Sequence, residues 1–158
     1  CLYSCGLRVS ELTNLKISNL LFRDNIIKVV GKGNQERIVP LSSTLKKYLE
    51  NYLNFIRSKQ KIKKHSIDIL FLNRNGGPLS RIMIFTIVKQ FVKSAGINKK
   101  VSPHTFRHSF ATHLVEGGAD LRVVQEMLGH INITTTEIYT HLNQDYLRQE
   151  IINYHPRA

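Results

Sequence analysis

His104 and Arg107 stand three residues apart, just behind Ser102-Pro103, a serine N-cap followed by proline at the first helical position. This pattern predicts a helix from Pro103 to Val115, with both side chains on one face of its first turn. Unpaired backbone N–H groups and the helix dipole already favour an anion there. A guanidinium and an imidazole added at that place build a phosphate site. Four more residues of matching chemistry stand at the ends of predicted elements. Arg8 opens the first helix, and Lys32 sits at a hairpin tip between Gly31 and Gly33. His130 projects from the loop after a glycine-ended helix, and Tyr139 follows nine residues later on a short helix. A tyrosine hydroxyl can attack a phosphodiester and keep the bond energy as a phosphotyrosine. Two arginines can hold the non-bridging oxygens and stabilise the charge of the transition state. A lysine or histidine can protonate the departing oxygen. Protein cations stand in for a metal in such chemistry, so no cofactor is expected.

The elements that must position these groups are readable from local signals. Leu2-Tyr3-Ser4-Cys5-Gly6 reads as the last turn of a helix closed by glycine. Because no Met precedes it, we expect a piece of a longer protein. A short helix is predicted at Ser10–Leu15, with Ser10 as N-cap and Leu12 and Leu15 inward. Ile26–Val30 is a strand by its β-branched content, Gly31–Asn34 a turn, and Arg37–Pro40 the returning arm. Ser43 is expected to cap a helix with Leu45, Tyr48, Leu49, Tyr52, Leu53 and Ile56 on its apolar face. Ile69–Leu72 is a short apolar strand or turn, broken by Asn75-Gly76-Gly77-Pro78. Ser80 caps a helix closed by Gly96, with Ile84, Ile87, Val88, Phe91, Val92 and Ala95 inward. The helix from Pro103 stops at Gly117-Gly118, and Asp120 caps another that Gly129 ends. Thr134 and Glu137 form a capping box, and Asn143 caps a last helix bearing Leu147, Ile151 and Ile152. The fold class is mainly α with a small antiparallel sheet. We divide the chain into a body, residues 1–142, and a tail helix, residues 143–158.

The charge points to the partner. The 158 residues carry 23 Lys and Arg against 11 Asp and Glu, a net charge of +12. Residues 1–130 hold 21 of those basic residues and 8 of the acidic ones, while the tail is nearly neutral. A basic body calls for a polyanion, nucleic acid first and an anionic membrane surface second. Arg57, Lys59, Lys61, Lys63 and Lys64 form one dense group, and Lys89, Lys93, Lys99 and Lys100 another; either group could equally be a solvated loop. No apolar run approaches the ~20 residues of a membrane span. No signal peptide opens the chain, and Cys1 and Cys5 cannot make a disulfide framework, so a reducing cytoplasm is the simplest location. His104-Thr105-Phe106-Arg107-His108 lacks the glutamate of a zinc-protease helix, and no nucleotide-binding glycine loop occurs.

These segments resemble a known family. Gly6-Leu7-Arg8-Val9-Ser10-Glu11-Leu12, Gly31-Lys32-Gly33-Asn34-Gln35-Glu36-Arg37, His104-Thr105-Phe106-Arg107-His108, Leu128-Gly129-His130 and Tyr139 are similar, in order, to motifs of the tyrosine recombinases, or phage integrase family. The likeness is greatest to the bacterial Xer subgroup, which resolves chromosome dimers, and the ending His155-Pro156-Arg157-Ala158 resembles its D-type branch. The resemblance implies the catalytic-domain fold of that family and a role for each of six residues. Arg8, Arg107 and His130 would bind the scissile phosphate, and Lys32 would be the general acid toward the 5′ oxygen. His104 would assist as acid/base, and Tyr139 would be the nucleophile of a 3′-phosphotyrosyl intermediate. It implies a specific double-stranded DNA site as substrate and a tetramer of identical or paralogous subunits, with neither metal nor ATP. The family's N-terminal helical domain is absent from this sequence.

Each residue alone has a plainer reading. Tyr139 could be core or rim, His130 a helix cap, Lys32 a solvated turn residue and Arg8 a surface residue beside Glu11. Their co-occurrence at element ends favours the enzyme. Two alternatives stay open: a type IB topoisomerase-like DNA relaxing enzyme, and a basic DNA-binding module without catalysis. The amphipathic tail helix could dock on its own domain or on a neighbouring protomer.

Overall fold

A computed structural model describes residues 1–129 and 141–157, with backbone alone at 32 and 141–144. The expected helix from Thr134, together with His130 and Tyr139, lies outside the described residues.

The sheet has three antiparallel strands in sequence order: β1 (Leu20–Leu21), β2 (Ile26–Val30) and β3 (Glu36–Pro40). The hairpin β2–β3 is the one read from the sequence. Ile27 pairs with Val39 and Val29 with Arg37, so these four side chains share one face of the sheet. All four are buried. Ile69–Leu72 makes isolated bridges rather than a strand, Lys16 to Ile69 and Leu72 to Pro78.

Among the described residues there are six α-helices. They are α1 (Val9–Thr13), α2 (Ser43–Asn51), α3 (Arg81–Ser94), α4 (Pro103–Gly117), α5 (Leu121–Leu128) and α6 (His141–Tyr154). The glycine and cap signals hold for most of them. Ser80 accepts from the Met83 N–H and Asp120 from the N–H groups of Arg122 and Val123. Gly118 and Gly129 end α4 and α5 in the left-handed conformation.

Five boundaries and faces differ from expectation. Helix α1 begins at Val9 with Arg8, not Ser10, at its N-cap. The Glu11 carboxylate reaches back to the Arg8 N–H at 2.7 Å and replaces a serine cap. Ser42 rather than Ser43 caps α2, because it stands three residues before Leu45, whose N–H it accepts. Helix α2 continues into a wide π turn, Tyr52–Ile56, which rotates later residues off the inward face, leaving Ile56 exposed. Tyr48 is exposed as well, so Leu45 and Leu49 carry the contact. On α3 the buried seam is Ile84 and Val88; Ile87, Phe91 and Ala95 are exposed, as only residues four apart stay in line along one edge of the helix. Helix α6, His141–Tyr154, already includes Asn143, which therefore lies within it and not at its cap. An asparagine suits the first turn as well as the cap, so residue type alone does not separate the two.

There are two apolar cores. One packs the sheet against α1, α2 and α3 through Leu12, Ile27, Val39, Leu45, Leu49 and Ile84. The other packs α4, α5 and α6 through Phe110, Leu114, Val124, Met127, Leu147 and Ile151. Gly6 stands at the seam with φ +55°, and a Cβ there would come within 2.6 Å of the Phe110 ring. Only glycine satisfies both the backbone and the contact. The first basic group divides: Lys59, Lys61, Lys63 and Lys64 are exposed, whereas Arg57 is buried, its guanidinium donating to the carbonyls of Ser66, Ile67 and Ile69.

Candidate functional site

The last turn of α5 leaves carbonyls without helical partners, and the helix dipole makes that end negative. Three arginines from three elements fill it. Arg37 on β3 donates through Nε to Met127 O at 2.7 Å. Arg107 on α4 donates through Nη2 to Leu128 O at 2.6 Å and through Nη1 to Gly6 O at 2.5 Å. Arg8 donates through Nη2 to Gly129 O at 3.3 Å.

One carboxylate lies among them. Glu11 on α1 is buried and takes both guanidinium ends of Arg37 at 2.8 Å, while Arg8 Nη1 reaches it at 2.9 Å. Burial alone would raise the Glu11 carboxyl; the hydrogen bonds and charge of Arg37, then those of Arg8, win and hold it down at about 2. Burial first, and Arg8 next, pull Arg107 down to about 10, so it stays cationic at neutral pH. Three guanidiniums against one carboxylate leave the cluster with a surplus of positive charge, close to the surface at Arg8.

Gly129 closes α5 at φ +67°, and a Cβ on it would meet Arg37 Cδ at 3.1 Å. The turn that leads into His130 thus lies directly on the Arg37 side chain. His104 occupies the first turn of α4 and is exposed, with its ring 6.4 Å from that of Phe85. Lys32 lies in the β2–β3 turn, Lys32–Asn34, as read from the sequence, and its side chain lies outside the description.

Of the six candidates the structure therefore brings Arg8 and Arg107 together. It places the backbones of His104 and Lys32 at element ends, and it leaves His130 and Tyr139 undescribed. What the arginines can do is bind an anion: each guanidinium is anchored on one edge by carbonyls or Glu11, and Arg8 keeps a side chain 39% exposed.

Residues 1–145 match the sequence profile of the Phage integrase family. The chain belongs to that family. It is 51% identical over 157 residues to a tyrosine recombinase XerD of Staphylococcus haemolyticus, covering 99% of this chain and 53% of the relative. It is 50% identical to the XerD of Chlorobaculum tepidum, of which it covers 51%. The chain thus spans about half the length of these relatives. Among solved structures, XerA recombinase is similar with a TM-score of 0.76 and 39% identity, over 99% of this chain and 56% of that one. XerH, a site-specific recombinase bound to its difH substrate in a pre-cleavage complex, is similar with a TM-score of 0.70 and 29% identity, over 92% of this chain and 39% of that one. The fold is that of the tyrosine recombinase catalytic domain, as the resemblance implied, and the likeness to the Xer branch holds.

Within this phage integrase domain, two residues of the cluster escaped sequence reasoning as site residues. Both stand in segments that carry the resemblance, but the sequence alone assigns Glu11 no role beyond a neighbour of Arg8 and Arg37 none beyond the returning strand. A signal for Arg37 existed: it alternates with Val39, so a guanidinium shares the strand face of a core valine, and a buried charge needs a partner.

Proposed function

We propose that this chain is the catalytic part of a site-specific DNA recombinase that cuts and rejoins strands through Tyr139, in the service of chromosome dimer resolution. The observation that carries the reading is the pair Arg8 and Arg107, anchored on the carbonyls of Gly129, Leu128 and Gly6 and beside a single carboxylate. Such preorganised donors favour the charge that builds on a phosphodiester under attack.

In this reading the Tyr139 hydroxyl oxygen attacks the scissile phosphorus while its proton passes to His104 as base. The bond from phosphorus to the 5′ oxygen breaks, and Lys32 delivers a proton to that oxygen. The product is a 3′-phosphotyrosyl enzyme and a free 5′ hydroxyl, and attack by the 5′ hydroxyl of another strand reverses the chemistry. Arg8, Arg107 and His130 hold the phosphate and His104 assists. The cations supply the charge stabilisation, with neither metal nor ATP. The substrate is a specific double-stranded DNA site, and four identical or paralogous subunits act together in the bacterial cytoplasm. The relatives' names support the recombinase activity, and the DNA-bound XerH structure supports DNA as the partner. No helix among the described residues is long and apolar enough to cross a membrane. In this single chain α6 packs on its own domain through Leu147 and Ile151. We propose that residues 143–158 also serve as the link between neighbouring subunits.

The test is covalent trapping on nicked DNA carrying a Xer-type site, at low salt, with wild type and Tyr139→Phe compared on a denaturing gel. A slow-migrating adduct from wild type alone is expected. An adduct from Tyr139→Phe removes the nucleophile assignment. Relaxation of a plasmid lacking any such site by wild type would point to a topoisomerase instead.

A further inference from the structure

An ionised carboxylate has about four acceptor positions, and on Glu11 four donors fill them. Oε1 takes Arg8 Nη1 at 2.9 Å and Arg37 Nη1 at 2.8 Å. Oε2 takes the Arg8 backbone N–H at 2.7 Å and Arg37 Nη2 at 2.8 Å. Arg107 Nη1 stops 4.0 Å from Oε2 and makes its short bonds to neutral carbonyls. Arg37 supplies two of the four donors, is buried, and uses its Nε on Met127 O.

Resting on the function proposed above, we propose that Arg37 is a positioning residue: by saturating Glu11 it keeps that carboxylate from pairing with Arg107, whose charge then remains available to the scissile phosphate. A guanidinium bonds a carboxylate about twice as strongly as a neutral carbonyl. Without Arg37, two acceptor positions open on a carboxylate 4.0 Å from Arg107, and the pair closes. A guanidinium neutralised in this way binds phosphate less well, although every residue that touches DNA is still present.

The experiment compares wild type, R37M, R37K and the double variant E11Q/R37M in the trapping assay, each with circular dichroism and a separate measurement of DNA affinity. At saturating DNA, R37M is expected to form the adduct about 10²-fold more slowly, the scale of losing one preorganised donor, with affinity within about threefold of wild type. Adding E11Q removes the competing charge and is expected to restore at least about tenfold of that loss, a recovery that a merely structural role for Arg37 does not produce. If R37M fails to fold, R37K takes its place, with a smaller loss again relieved by E11Q. The proposal is overturned if the folded Arg37 variant cleaves at the wild-type rate, or if adding E11Q leaves it as slow or slower. An absence of adduct from wild type overturns the recombinase reading itself, a result distinct from either.

Discussion

Arg37 and Arg8 both pair with Glu11, yet the Arg37 side chain is 6% exposed and that of Arg8 39%. Arg37 belongs to a floor made of Glu11, β3 and the last turn of α5. Arg8 stands at a rim, with one edge toward solvent. In the floor Arg37 is held by Glu11 and Met127 O, and removing the carboxylate leaves a charge stranded in low dielectric. At the rim the same residue types keep a solvent-facing edge, where water replaces a lost partner at little cost. The two places differ in duty: the floor holds geometry, and the rim keeps a charge open to solvent.

Breaking the floor should have the largest effect. Glu11→Ala leaves Arg37 buried and unpaired, and we expect a loss of about 3–5 kcal/mol in urea unfolding; a loss below about 1 kcal/mol would erase the distinction between floor and rim. Acidification acts on the same carboxylate more gently. Its folded-state value of about 2 lies below the usual ~4.3 of a free glutamate, so its contribution is full above that value. The contribution then falls as pH drops toward 2, by about 3 kcal/mol in total. Unfolding midpoints between pH 6 and 2 for wild type and Glu11→Gln should converge toward the acid end, and parallel curves would refute the assignment.

Gly129→Ala probes the joint between floor and rim. It puts a Cβ at a left-handed position and 3.1 Å from Arg37 Cδ, and should cost about 1–2 kcal/mol. A neutral result in thermal melts would show that Arg37 yields easily. The smallest effect belongs to the hairpin. Lys28 and Glu36 pair at 2.7 Å with side chains 44% and 49% exposed. Lys28→Ala should therefore change stability by less than about 1 kcal/mol, vanishing in high salt.

The same division explains what could be read from the chain alone. Ser80, Ser102-Pro103, Asp120, Gly118 and Gly129 act on backbone groups within a few residues, and the helices they bound are where local chemistry puts them. Arg8, Lys32 and His104 were legible by type, because they stand where elements begin or turn. The floor was not, since it depends on partners far away in the chain: Arg37 meets Glu11 across 26 residues and Met127 across 90. The wide turn after Asn51 was equally hidden, because no residue type announces it, and it shifts the face that Tyr52–Ile56 present.

The three arginine anchors also bear on the order of folding. The bond from Arg37 to Met127 closes a loop of 90 residues, that from Arg107 to Gly6 one of 101, and that from Arg8 to Gly129 one of 121. Closing such loops costs chain entropy that only completed packing of both cores offsets. The β2–β3 hairpin and the capped helices can form early from neighbours in sequence, but the cationic cluster comes together only when the ends of the domain have met. A nascent or partly unfolded chain thus carries the charge of this cluster without its shape, and the fixed guanidinium geometry arrives only once both cores have packed.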